Sequence, residues 1–151
     1  MYCKKITIFD IDDVCNLYID EDNLHLESDE YRTYIIKAKE IYKKMLSNGS
    51  YTLGCFSDND EVLGVININK ILDYYPKYEN NPYIHLETFI VKKDYQNKGV
   101  GTFLMTSAIE LIKKEGATYV IIQSNNKFVQ RICHKIGLKD TVIDMRCDFI
   151  K

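Results

Sequence analysis

Tryptophan is absent from this 151-residue chain, and both prolines fall in one stretch, "DYYPKYENNP" at residues 73–82, which reads as a loop. The five cysteines, Cys3, Cys15, Cys55, Cys133 and Cys147, are odd in number, scattered, and form no C-x-x-C pair. That excludes a disulfide framework and a zinc knuckle. Charge of one sign is also missing: 20 basic residues stand against 22 acidic ones, for a formal charge of -2. A nucleic-acid footprint needs a basic surplus, so no nucleic acid is expected as partner. No apolar run approaches the roughly 18 residues of a membrane span, and the opening "MYCKKITIFD" alternates polar with apolar. The expectation is a protein of a reducing cytoplasm with no membrane partner. His25, His85 and His134 lack metal-ligand spacing, so no metal is expected. Repeats, low-complexity segments and linkers are lacking too, which leaves one domain over residues 1–151.

What is present suffices for a core that stands without staples, since 46% of the residues are apolar. Tyrosine is abundant, with 12 copies, suited to the rim of a core with wet hydroxyls or to the lining of a groove. "KKITIFD" has the period of two that marks a half-buried strand, and "DDVCNLYID" reads as a short helix behind an acidic cap. From Ser28, as cap, the apolar positions Tyr31, Tyr34, Ile35, Ala38, Ile41, Tyr42, Met45 and Leu46 recur at helical spacing up to the stop "SNG". "SYTLGCFS" and "EVLGVININ", split by "DND", predict an antiparallel hairpin. "YIHLETFIVKK" predicts a central strand, and Val100, Phe103, Leu104, Ala108, Leu111 and Ile112 line one face of a helix that ends at "KKEG". "TYVIIQS" is a buried strand, "NNKFVQRICHKIG" a helix with an asparagine cap, and "DTVIDMRCDFI" a final strand. The order is α/β in the broad sense: a mixed, mostly antiparallel sheet with helices on both faces. A strand, helix and strand around residues 94–101 give one parallel pair.

Those residues, "DYQNKGVG", place two glycines at the mouth of a predicted helix. The first N–H groups of a helix have no partner within it, the peptide dipoles leave positive charge there, and glycine lets an anion come close to the backbone. The loop suits a diphosphate. It lacks the Lys-Ser/Thr ending of a nucleotide-hydrolysing P-loop and the third glycine of a dinucleotide fingerprint. Two glycines alone are equally consistent with a tight strand-to-helix turn.

The wider context resembles one family. Gln/Arg-x-x-Gly-x-Gly/Ala between a central strand and an amphipathic helix is the signature of the GNAT superfamily of N-acetyltransferases, and Gln96, Gly99 and Gly101 fill its fixed places. "LETFIVKKDY" upstream looks like the family's fourth strand, and "NNKFVQRICHKIGL" downstream is similar to its last helix. The resemblance runs from about Tyr83 to Leu138, and element order alone supports it before that. It implies acetyl-CoA as co-substrate, with its diphosphate held by the loop of Gln96, Asn97, Lys98, Gly99, Val100, Gly101 and Thr102. It also implies that main-chain groups of Phe89, Ile90 and Val91 meet the pantetheine arm and that Asn126 meets it from the other side. Lys98 faces either the phosphates or solvent.

Acetyl transfer needs a neutral amine, and a free alkyl amine titrates near ~10.4, so a base must take its proton. By resemblance Glu87 is that base; the other reading is a structural or solvent-facing carboxylate. The place usually held by the tyrosine that protonates coenzyme A is filled by Cys133. A thiol near ~8.5 gives up a proton more readily than a phenol near ~10 but is shorter, and its other reading is a small buried apolar residue. The acidic stretch "DEDNLHLESDE" and the tyrosines of residues 73–83 would form a mouth for a cationic acceptor, or a solvated surface needing no ligand. The function implied is acetyl transfer to a primary amine of a small molecule or peptide. The alternative is a coenzyme A-binding sensor that has lost turnover. The resemblance also admits a homodimer through the C-terminal strand.

Overall fold

A computed structural model of the chain describes residues 1–71, 83–117 and 119–140. The expected loop at residues 73–82, the last predicted strand, Cys147 and any dimer contact through that strand lie outside the described residues.

Among those residues five strands, β1 (Tyr2–Lys5), β2 (Tyr51–Phe56), β3 (Val62–Ile71), β4 (Tyr83–Val91) and β5 (Val120–Ile122), lie side by side in sequence order. The first four pair antiparallel, and β5 pairs parallel to β4. Four helices cover the sheet: α1 (Ile11–Glu21), α2 (Ser28–Ser47), α3 (Val100–Lys114) and α4 (Lys127–Lys135). The mixed α/β architecture and the parallel pair are as the sequence predicts.

Alternation along the strands builds two cores. Tyr51, Leu53, Ile66, Ile68 and Leu86 pack with Leu104, Met105, Ala108 and Ile112 of α3 and with Val129 and Ile132 of α4. Phe56 and Val65 point the other way, against Val14 and Leu17 of α1 and Ile35 and Tyr42 of α2. Each such side chain taken fully out of water contributes about 1.5–3 kcal/mol before entropy is counted.

Local chemistry shifts several predicted boundaries. The first strand stops at Lys5, short of the expected "KKITIFD", because Thr7 and Asp10 engage each other. The Thr7 amide donates to Asp10 Oδ2 at 2.7 Å and the Phe9 amide to Thr7 Oγ1 at 3.3 Å, which winds Ile8–Asp10 into a 3-10 turn leading into α1. Ser28 is the first residue of α2 rather than its cap; Glu27 takes that place, with its amide donating to Glu30 Oε2 at 2.9 Å. Only a narrow stripe of α2 is buried. Ile35 and Tyr42, seven residues apart, face the sheet, while Ile41 and Leu46, expected on the apolar face, are 59% and 49% exposed. They lie on the shoulders of a helix that touches the sheet along one line.

Lys5, Tyr51 and Glu115 pin α3 to the sheet. Lys5 Nζ lies 2.6 Å from one oxygen of Glu115, and the Tyr51 hydroxyl donates to the other at 2.8 Å. Lys5 also sits 3.8 Å from the centre of the Tyr51 ring, a cation–π contact.

Candidate active site

Glu87 pairs with Asn67 of β3 and Phe89 with Ile66, so Thr88 is an extra residue on β4. Its φ of 20° marks the bulge. A bulge bends its strand. β5 pairs with β4 only as far as Leu86, opposite Ile122, and β4 continues to Val91. The two parallel strands therefore separate where the bulge lies. Past the bulge Phe89 and Val91 turn into the α3/α4 core and Ile90 into the α1/α2 core, so main chain is what β4 offers at the cleft.

Residues 92–99 carry the chain from β4 to α3. Gln96 Nε2 donates to the Val91 carbonyl at 3.0 Å and ties the loop to the strand's end. Asn97 and Gly99 have φ of 58° and 84°, so the chain turns twice through the left-handed region. A Cβ on Gly99 would meet nothing within 4 Å: the space over this residue is open. Gly101 differs. A Cβ there would lie 3.0 Å from Ile132 and 3.2 Å from the Phe89 ring, so this glycine lets α3 close against α4 and β4. The helix mouth is thereby held beside the end of β4.

A cavity of about 270 Å³ opens over this mouth. Val91, Gln96, Asn97, Gly99, Gly101 and Thr102 form one wall, and Phe128, Arg131, Ile132 and Lys135 of α4 the other. Arg131 and Lys135 are cations that the motif alone does not reveal; their spacing of four along one helix is the signal that could have found them. Lys98 leans toward the Tyr95 ring at 5.6 Å. Left-handed turns, an open glycine, the start of a 15-residue helix and two facing cations form a setting for a polyanion.

Asn126 caps α4, its Oδ1 accepting from the Phe128 amide at 2.8 Å. Its amide hydrogens are not used in that bond. Cys133, on the same helix, is 8% exposed and packed within the α3/α4 core, where burial pushes its thiol up. It is protonated at neutral pH and surrounded by apolar neighbours. Its neighbour His134 is exposed, with Nε2 2.8 Å from Asp140 Oδ1.

Glu87 lies on the opposite side of the sheet from Leu86. Its carboxylate is half exposed, and Oε1 lies 3.2 Å from His85 Nδ1. Across the register stand Asn67 and, beyond it on β2, Thr52, whose hydroxyl donates to Asn67 Oδ1 at 2.7 Å. Tyr18 of α1 packs, partly buried, against the core on this face of the sheet. Sequence reading missed this group because its members are far apart in the chain. In the acidic segment, Glu30 is engaged in the α2 cap, and Lys93 Nζ donates to the Asp20 carbonyl at 3.2 Å and to Asn23 Oδ1 at 3.1 Å. Part of that segment therefore serves local structure. Among the described residues no group of His, Cys, Asp and Glu has the arrangement of a metal site, and no helix is long and apolar enough to cross a membrane.

The fold and its cleft define an α/β protein of the acyltransferase type. Residues 11–138 match the acetyltransferase (GNAT) family, so the chain belongs to that family and is a transferase. No curated protein matches significantly. Solved structures similar in fold include an acetyltransferase of Trypanosoma brucei, at 17% identity and a TM-score of 0.75, with 98% of this chain and 99% of that one covered. Glucosamine-6-phosphate N-acetyltransferase of Arabidopsis thaliana is 14% identical with a TM-score of 0.73 and coverage of 99% and 98%. Aminoglycoside 6'-N-acetyltransferase of Acinetobacter haemolyticus is 17% identical with a TM-score of 0.70 and coverage of 100% and 99%.

Proposed function

We propose that this protein transfers an acetyl group from acetyl-CoA to a primary amine of a small molecule or peptide, by direct attack of the amine. The observation that carries the reading is the coincidence of three features at one end of β4. The strand parts from β5 at the Thr88 bulge, the turn over Gly99 stands open at the mouth of α3, and Arg131 and Lys135 face it. A separated pair of parallel strands admits an extended arm, and the cationic cavity beyond it fits the arm's phosphates.

Acetyl-CoA supplies an activated thioester. The amides of Asn97, Lys98, Gly99, Val100, Gly101 and Thr102 would hold the diphosphate, with Gln96 keeping their loop in place. The main chain of Phe89, Ile90 and Val91 would pair with the pantetheine arm in the gap β5 leaves, and the amide hydrogens of Asn126 would meet it from α4. The Val91 amide is the proposed donor to the thioester carbonyl oxygen. Glu87 would take the amine's proton. Cys133, kept protonated by burial, would return one to the departing thiolate.

The test is thiol release, which should require both acetyl-CoA and an amine and should fall at least about tenfold with Glu87→Gln. Undiminished turnover in that variant removes Glu87 from the chemistry. A second reading is favoured by one observation: Cys133 lies among apolar side chains where a proton donor is needed. On that reading the protein binds coenzyme A as a sensor and does not turn it over. Tight acetyl-CoA binding by calorimetry with no product across a broad amine panel would select it.

A further inference from the structure

Cys3 of β1 and Cys55 of β2 are partners in register, Cα opposite Cα. The ladder they belong to fixes how close they stand. The Ile6 amide donates to the Thr52 carbonyl at 2.9 Å, which carries the same register one pair beyond Lys5 and Leu53. In an antiparallel ladder, hydrogen-bonded pairs alternate with non-hydrogen-bonded ones. Counting back from Ile6 and Thr52, Lys4 with Gly54 is a hydrogen-bonded pair, and Cys3 with Cys55 is a non-hydrogen-bonded one. Pairs of that kind hold their Cα atoms about 4.5 Å apart with side chains close together, inside the ~4.4–6.8 Å that a disulfide spans without moving the backbone.

The two thiols also share a face of the sheet. Cys55 lies within the α3/α4 core, and Cys3 packs against it. Their access to solvent differs: Cys55 is fully buried, while Cys3, on the strand at the end of the sheet, is partly open. The remaining described thiols are placed elsewhere, Cys15 in the α1/α2 core across the sheet and Cys133 on α4. An accessible sulfur backed by a buried one is the arrangement of an attacking and a resolving cysteine.

We propose that Cys3 and Cys55 form a site of reversible thiol oxidation that takes small disulfides, of the class of oxidised glutathione, and ends as a cross-strand disulfide. The Cys3 thiolate attacks one sulfur of the small disulfide R–S–S–R: the bond from Cys3 to that sulfur forms, the original S–S bond breaks, and one R–S⁻ leaves. Cys55, as thiolate, then attacks the Cys3 sulfur. The Cys3–Cys55 bond forms, the bond to R–S breaks, and a second R–S⁻ leaves toward solvent. The two protons given up by the cysteines end on the two departing thiolates, and the two electrons the pair loses reduce the small disulfide to two thiols. An excess of such thiols reverses both steps. The linkage locks β1, a strand of four residues, onto β2.

The test treats the full folded chain with oxidised glutathione at about pH 8, where thiolate is available, and maps the peptides by mass spectrometry without reduction after blocking the remaining thiols. The intact mass should fall by two hydrogens, with one peptide pair joining Cys3 to Cys55 and no glutathione retained on Cys3. Cys55→Ser should halt the reaction after its first step and leave glutathione on Cys3. Cys3→Ser should slow oxidation of Cys55 at least about tenfold, because a buried thiol is inert without the relay. Urea supplies the contrast. In the unfolded chain closure favours short loops, so Cys3 should join Cys15, its nearest cysteine in sequence, at least as readily as Cys55. No reaction at Cys3, glutathione held on Cys3 of the unaltered folded protein, a bond from Cys3 to any other cysteine, or the same pattern folded and in urea overturns the proposal. Should Cys55→Ser fail to fold by circular dichroism, the peptide map of the unaltered protein and Cys3→Ser decide. None of these outcomes depends on acyl transfer.

Discussion

The side-chain amide of Gln96 donates to the carbonyl oxygen of Val91 at 3.0 Å, closing a bond between the first residue of the family motif and the last residue of the strand that precedes it. The bond makes the loop and the strand end one unit, so that amides facing the cavity keep their direction relative to main chain past the bulge. Gln96→Ala should weaken acetyl-CoA binding by about two- to tenfold, the value of one net hydrogen bond, with little change in thermal stability. Isothermal calorimetry measures the first and scanning calorimetry the second; unchanged affinity would detach Gln96 from the site.

The two glycines of the loop should respond differently to alanine. Gly99 sits at φ 84° with open space around it, so Gly99→Ala should cost about 1–2 kcal/mol of backbone strain. It should also put a methyl group where an anion would approach. At Gly101 the new methyl meets Ile132 and Phe89 inside a packed junction, and overpacking costs about 1–3 kcal/mol. Urea unfolding gives both costs. If acetyl-CoA affinity falls beyond what partial unfolding explains in Gly99→Ala alone, the open turn is the contact point.

Arg131 and Lys135 should matter for the donor and not for the chemical step. Arg131→Ala and Lys135→Ala should each raise the KM for acetyl-CoA by about fivefold or more, the value of a charge-assisted contact, with kcat nearly constant. The effect should shrink as salt is raised, because the groups are exposed enough to be screened. A fall in kcat at constant KM would contradict the assignment.

Glu115 links folding to acid. Burial pulls its carboxyl upward, but hydrogen bonds from Lys5 and Tyr51 and the nearby charges of Lys5 and Lys70 outweigh burial and hold it below its ordinary value of 4.5. A carboxylate depressed in the folded state stabilises the protein above that ordinary value, and the contribution is lost as the pH falls through the folded value. Lys5→Met should therefore lower stability near neutrality and flatten the decline in acid. Unfolding midpoints between about pH 6 and 3 check the sign; a parallel shift at every pH would refute the linkage.

Among the described thiols, Cys3 should react first. Cys3 and Cys55 face each other across β1 and β2, and a hydrogen bond from Cys55, opposed by burial and aided by Ser107, brings Cys3 down to about 7. Burial raises Cys15 to about 11, and Cys133 is raised as well. Iodoacetamide at neutral pH should label Cys3 well ahead of Cys15, Cys55 and Cys133 in a peptide mass map. Equal labelling of Cys15 would show that the thiolate is not where the geometry puts it.

The glycine loop was legible in the chain because it is local. Residues 96–101, the strand before them and the helix after them are contiguous, so spacing alone placed Gly99 at the mouth of a helix and Asn126 at a helix cap. Element order and the parallel pair were legible for the same reason: period-two and helical patterns report each segment's own burial. Boundaries were less so. Thr7 and Asp10 compete for the same backbone as the first strand, and no periodicity records who wins.

The polar row beside Glu87 was decided by tertiary structure. Thr52, Asn67 and Glu87 come from three strands, and what unites them is register, fixed by pairing across β2, β3 and β4. The extra residue at Thr88 resets which side chains share a face with Glu87. A single inserted position in one strand reverses the facing of everything after it, and that depends on the neighbouring strand as much as on the residue itself. Composition, spacing and helix starts belong to the sequence; which distant polar groups meet, and in which direction their hydrogens run, belongs to the folded sheet.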